Sequence, residues 1–225
     1  MARTGTVALQ PIRLELADIA LNADLSLPSE AHGLVVFAHG SGSSRHSSRN
    51  RAVAEVMQRA RIATLLLDLL TEQEERIDVR TAELRFDIPL LADRVVATID
   101  WVQTQPSLSP LRLGLFGAST GAAAALMAAA SRPTIVGAVV SRGGRPDLAE
   151  AALDAVTAPT LLVVGRRDDV VINLNQQAFD RLRGPKALEI VPGATHLFAE
   201  PGALEEVARL ATDWFVRHLT MRSEP

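Results

Sequence analysis

Apolar residues along this chain follow two patterns, and the change falls near residue 28. From Thr6 to Leu27 they partly alternate with polar residues in two segments, roughly Val7 to Leu16 and Ile19 to Leu27. Alternation marks strands with one wet face. With Ala17 and Asp18 between the segments and Pro28 closing them, the pattern predicts an antiparallel hairpin at a sheet edge. After Pro28 the apolar runs become continuous, at Gly33 to Ala38 (GLVVFA), Ala63 to Leu67, and Leu113, Leu115 and Phe116. That is how strands read when both faces of a parallel sheet are covered.

Helical spacing separates these runs. Val53, Val56, Met57 and Ala60 predict a helix over about Ser48 to Arg61. Leu91, Val95, Ile99 and Val102 predict another, from Asp87 to just before Pro106. The polar stretch from Thr71 to Arg85 reads as a charged connection, and the alanine-rich stretch after residue 120 as a helix. Beyond it come a strand at Ile135 to Val140, a short helix near Leu148 to Val156 and a strand at Thr160 to Val164. A helix around Leu174 to Leu182, a strand at Ala187 to Val191 and a closing helix from Pro201 to Leu219 complete the order. Strands alternate with helices and no repeat or composition break interrupts them. The prediction is a single three-layer α/β domain over 1–225, with a mainly parallel central sheet.

Composition narrows the function classes. With 225 residues, 48% of them hydrophobic and 22% charged, the chain can bury a sizeable core. Its formal net charge of −3 argues against general affinity for nucleic acid. No apolar run reaches the roughly 18 residues of a membrane helix. MARTGTVALQ lacks the apolar core and cleavage pattern of a signal peptide, so the expectation is a soluble, cytoplasmic protein with no membrane partner. The absence of cysteine leaves any covalent chemistry to another nucleophile. Two Trp, six Phe and no Tyr weigh against an aromatic-lined groove for lipids or polymers.

In a parallel sheet, chemistry gathers past the carboxyl ends of the strands. There the sequence delivers His39 to Gly42, Asp68, Ser119, Ser141 with Arg142, Asp168 with Asp169, and His196. Ser119 stands at the centre of Gly117-Ala118-Ser119-Thr120-Gly121, between an apolar strand and a helix, where a tight turn lifts a hydroxyl clear of the sheet. Serine, aspartate, histidine in that order is the chain order of a serine-hydrolase triad on such a sheet. His196 would take the proton from Ser119, an aspartate would orient the imidazole, and the backbone N–H groups of Thr120 and Ser41 would hold the oxyanion. This chemistry needs no metal and no organic cofactor. The competing reading of residues 40–45 as a phosphate cradle in a dinucleotide-binding module, with Asp68 on a ribose, fails because Arg45 replaces the third glycine of GxGxxG.

The set HGSG at 39–42, GASTG at 117–121, GRRDDVV at 165–171 and GATHLF at 193–198 resembles the α/β-hydrolase superfamily, and within it the dienelactone-hydrolase-like branch. The resemblance spans nearly the whole chain and implies an α/β-hydrolase three-layer sandwich with esterase-type chemistry. It places the acid at Asp168, with Asp169 as the fallback. Dienelactone hydrolases proper carry cysteine at the elbow, where this chain has Ser119. The interval from Ser141 to Thr160 is too short for an inserted cap, so the expected site is open. The expected function is cleavage of small carboxylic esters through an acyl-enzyme. The alternatives are a thioesterase or lactonase using the same residues, or a catalytically silent binding protein of the same fold.

Arginines complete the inventory. Arg45, Arg49 and Arg51 cluster where a helix is predicted to begin, and cations are disfavoured there. Either the acidic run Glu72, Glu74 and Glu75 pairs with them, or one of the arginines binds a carboxylate or phosphate on the substrate. Arg142 and Arg145, beyond the Ser141 strand end, are candidates for the same role as Arg45. Glu83 and Arg85 border the same loop. His39 is expected to hold the oxyanion loop, Asp68 to organise its own loop, and His32, His46 and His218 to lie at the surface.

Overall fold

Eight strands form one twisted sheet in the computed structural model, which describes residues 9–220. They are β1 (Gln10–Glu15), β2 (Ala20–Ser26), β3 (Gly33–Ala38), β4 (Ile62–Leu67), β5 (Arg112–Ala118), β6 (Val136–Arg142), β7 (Thr160–Gly165) and β8 (Lys186–Val191), in the spatial order 1-2-4-3-5-6-7-8. β1 pairs antiparallel with β2, and β2 antiparallel with β4, while β4 through β8 run parallel. The hairpin closes as Glu15 faces Ala20; Val7 and Ala8 of its predicted extent lie outside the described residues. β3, β4 and β7 are buried along their whole length, as their uninterrupted apolar sequence requires.

Among the described residues six α-helices cover the sheet: α1 (Ser48–Arg59), α2 (Glu72–Thr81), α3 (Ile88–Thr104), α4 (Thr120–Ser131), α5 (Asp169–Arg181) and α6 (Ala203–Leu219). Val53, Ala54 and Met57 of α1 join Val207, Ala211 and Phe215 of α6 in one core against Phe37 and Phe116. The other face packs α3 and α4 through Leu91, Val95, Ile99, Ala124 and Ala128. Among the described residues no helix is long and apolar enough to cross a membrane.

Three expectations change. The polar stretch after β4 folds as α2, started by a capping box in which Thr71 accepts from the Glu74 amide and Glu74 accepts from the Thr71 amide. The predicted helix near Leu148 is a 3-10 run, Pro146–Ala155, broken at Glu150 by a φ of 46°. α5 begins five residues earlier than the apolar spacing indicates, directly behind Asp168.

Strand order turns back between β3 and β5, since the crossovers from them leave in opposite directions. Ala38 pairs with Gly117 there, so the chain after β3 and the turn after β5 emerge side by side. That is the switch-point crevice where open α/β sheets bind ligands.

Candidate active site

Ser119 occupies the turn from β5 to α4 with φ 50° and ψ −122°, a conformation that a residue with a side chain adopts only under constraint. The constraint is close packing on both sides. A Cβ at Gly117 would lie 2.4 Å from Ala122 Cα, and one at Gly121 would lie 2.4 Å from the carbonyl oxygens of both Ala38 and His39. Gly121→Ala is therefore expected to destabilise the protein by about 3 kcal/mol or more, as forced backbone shifts do in a packed core; urea denaturation measures it, and a loss below about 1 kcal/mol contradicts this packing.

The turn is held from the next strand as well. Ser119 N–H donates to Arg142 O at 3.3 Å, and Arg145 N–H donates to Ser119 O at 3.0 Å. Thr120 is the first residue of α4, so its amide lies outside the helix's own ladder. Ser41 approaches from the loop after β3, and its N–H donates to Thr120 Oγ1 at 3.0 Å. The Ser41 amide expected to hold an oxyanion thus reaches Thr120, with its hydrogen engaged by the Thr120 hydroxyl.

His39 fixes that loop. Its Nε2 accepts from Leu69 N–H at 3.1 Å and its Nδ1 contacts Gly40 O at 2.9 Å, which sets the tautomer with hydrogen on Nδ1. Burial pushes the His39 imidazole below its ordinary value, outweighing the Gly40 bond and the Asp68 and Glu75 carboxylates that favour the charged form. A base with a lowered folded-state pKa binds protons more readily when unfolded. Its contribution to stability is complete above about 6.5 and is lost as the pH falls below that value. Urea midpoints measured from pH 8 to pH 5 should therefore decline on the acid side and decline less in His39→Asn. His218, lowered by burial and then by Arg217, leaves a residual slope; equal slopes in both proteins would contradict the assignment.

His196 comes from the loop after β8 and Asp168 from the end of β7. Imidazole Nδ1 and Asp168 Oδ2 are 2.6 Å apart, so Nδ1–H donates to the carboxylate and Nε2 is left for the pocket. Backbone bonds brace both residues, Asp168 N–H to Gly165 O at 3.0 Å and Arg167 N–H to Ala194 O at 2.9 Å. Phe198, 1% exposed with φ 54°, anchors the loop from below. Asp169 is exposed and begins α5, so Asp168 is the residue that meets the histidine. Ser119 and His196 line one cavity of about 230 Å³ with Gly40, Ser41, Arg49, Asn50 and Arg142. Among the described residues no hydrogen bond joins Ser119 Oγ to the imidazole, as is common before substrate draws such groups together. The His196 side chain is 39% exposed, so solvent reaches the site directly.

The remaining candidates divide clearly. Arg45 pairs with Asp68 and, at 3.4 Å, with Asp24; Arg51 binds Asp24 at 2.7 Å; Arg145 binds Asp147 at 2.7 Å. None of the three lines the Ser119 cavity. The acidic run is not their partner. Glu74 takes Arg94 and Glu72 accepts from Asn22; Asp68 and Asp24 neutralise Arg45, and Asp24, 2% exposed on β2, neutralises Arg51. Arg85 binds Asp78, which also accepts the Leu84 and Arg85 amides, while Glu83 is exposed. His32 is half-buried, His46 exposed, and His218 half-buried against Trp214 with ring centroids 4.5 Å apart. Asp68 accepts from the Arg45 amide at 2.7 Å, organising its loop as expected. Sequence reasoning missed Asp24 and Asn50. An aspartate in the second, partly alternating strand of the predicted hairpin was the available signal for the first, and nothing local marked the second.

A mainly parallel eight-stranded sheet with a strained serine turn after its central strand defines the α/β-hydrolase fold. Within it the chain belongs to the dienelactone hydrolase family, whose family model matches residues 33–221. A crystal structure described as dienelactone hydrolase from Anabaena variabilis is 54% identical, with 96% of this chain and 100% of that chain covered and a TM-score of 0.94. Est1E from Butyrivibrio proteoclasticus shares the fold at 18% identity and a TM-score of 0.78, over 92% of this chain and 98% of that one. A Mycobacterium tuberculosis protein named "Putative phosphoribosyl transferase" is 55% identical over 210 residues, 93% of this chain and 46% of that relative. The chain spans about half the length of the curated relatives it matches.

Proposed function

We propose that this chain is a serine hydrolase that cleaves small carboxylic esters through an acyl-enzyme on Ser119. Membership of the dienelactone hydrolase family supports a hydrolase. The observation that carries the finer reading is the Asp168–His196 contact of 2.6 Å on the wall of the cavity into which the strained Ser119 turn opens. Ser119 Oγ attacks the ester carbonyl while His196 Nε2 takes its proton, and Asp168 holds Nδ1–H and stabilises the imidazolium. The oxyanion takes hydrogen bonds from Thr120 N–H and from Ser41 N–H, which changes partner from Thr120 Oγ1. Collapse expels the alcohol, which receives the proton from His196. A water molecule, deprotonated by the same nitrogen, then releases the acid and restores Ser119.

The cavity lining contains no aromatic residue besides His196, which suits a small substrate. The phosphoribosyl transfer in the M. tuberculosis relative's name is not carried over, because the chain spans 46% of that protein and the residues gathered around Ser119 suit acyl transfer. The test is labelling by a fluorophosphonate probe with peptide mapping. One adduct on Ser119, absent in Ser119→Ala, is expected. A folded protein that takes no adduct would favour a catalytically silent binding protein. Thioesters and lactones in the substrate panel separate the thioesterase and lactonase readings from the ester reading.

A further inference from the structure

Among the described residues no acid neutralises two guanidinium groups at the Ser119 cavity. Arg142 is 6% exposed; its Nη2 donates to Asn50 Oδ1 at 3.2 Å, its Nε is buried without a partner, and its guanidinium lies 6.0 Å from the Phe198 ring centroid. Arg49, in the first turn of α1, also has a buried Nε without a partner. Among the described residues neither arginine forms an ion pair with a carboxylate, whereas Arg45, Arg51, Arg85 and Arg145 each hold an aspartate. Burial, and then the nearby Arg49 charge, push Arg142 down to about 10, which still leaves it cationic near neutrality.

Keeping one buried cation beside another without an anion is unfavourable, and Asn50 offers only a neutral oxygen. The positive end of α1 adds to the excess, because Ser47, its N-cap, lines the cavity together with Arg49 and Asn50, and its first turn contains no acid. The lining of the cavity includes no Asp or Glu. A singly charged carboxylate would leave one guanidinium uncompensated. A phosphate monoester carries about two negative charges near neutrality and offers three acceptor oxygens, which matches two guanidinium forks and a helix N-terminus.

We propose that Arg49, Arg142 and the first turn of α1 form a subsite for a phosphate monoester group on the substrate whose ester is cleaved at Ser119, an assignment that rests on the ester-hydrolase reading above. The substrate class is a small phosphorylated ester, with the phosphate and the scissile carbonyl in one cavity.

Titration calorimetry of the full chain with inorganic phosphate, run beside acetate at matched ionic strength, tests the subsite independently of the serine. Phosphate is expected to bind and to slow fluorophosphonate labelling of Ser119 by about tenfold at saturation, while acetate does neither. Arg49→Met and Arg142→Met should each lose the phosphate binding, and Arg142→Lys should retain part of it. Arg49 is only half-buried, so Arg49→Met serves if Arg142→Met does not fold. A matched pair, acetylglycerol and its 3-phosphate, should differ in kcat/KM by about tenfold in favour of the phosphate, with the difference removed in Arg49→Met. The inference falls if phosphate gives no binding heat, if acetate binds as well, or if the arginine variants bind phosphate like the wild type. Failure of Ser119 to label, with phosphate binding intact, would instead bring down the hydrolase reading and leave the subsite standing.

Discussion

Ser119→Ala is expected to lower kcat/KM toward a small ester by about 10⁵-fold or more, with the folded state retained. In the proposed mechanism the hydroxyl forms the new bond, and no cysteine elsewhere in the chain can substitute for it. The alanine keeps the φ of 50° and the two backbone bonds that Ser119 N–H and O make to Arg142 and Arg145, so packing around the turn is not disturbed. Residual hydrolysis above the rate in water should persist, because the Thr120 and Ser41 amides remain in place. Steady-state kinetics with a thermal melt as control measures the effect. A loss smaller than about tenfold would mean that the observed hydrolysis does not pass through this serine.

The second large effect lies at the acid. Asp168→Asn is expected to reduce kcat by about 10⁴-fold, whereas Asp169→Asn changes it less than about twofold. The carboxylate 2.6 Å from Nδ1 decides which imidazole nitrogen carries hydrogen and, in the proposed mechanism, balances the imidazolium that forms when the Ser119 proton arrives. An amide can turn its NH₂ toward the ring, leaving Nε2 protonated and unable to act as base. Asp169 is exposed in the first turn of α5, where its charge complements the helix dipole by about 0.3–1 kcal/mol and does nothing for the imidazole. Comparable losses in both variants would place the acid elsewhere.

The strand runs and the serine turn were readable because each depends on residues close together in sequence. GLVVFA has no polar alternation and can only be a strand covered on both faces. Gly117 and Gly121 sit within two residues of Ser119, and both are required by contacts of 2.4 Å. The register of GRRDDVV against GATHLF, which brings Asp168 to His196 across 28 residues, was reached through resemblance to the α/β-hydrolases and the end-of-strand rule for parallel sheets. α2 was missed because a charged stretch carries little apolar period, although the Thr71 and Glu74 capping pair announced its start. The beginning of α5 was missed because its buried stripe, Val171, Asn175 and Ala178, is interrupted by a polar residue, while Val170 beside it is 72% exposed.

By itself the sequence determined the alternation of buried strands and helices, the edge hairpin and the serine turn, since periodicity and short-range sterics act through neighbours along the chain. Only the tertiary structure decided the electrostatics of the site. Arg51 meets Asp24 across 27 residues, and Arg142 meets Asn50 across 92. Charge pairing falls off over a few ångströms in space and takes no account of distance along the chain. Which arginines are neutralised, and which are left facing Ser119, therefore follows from the order in which β2, β4, β3, β5 and β6 lie side by side.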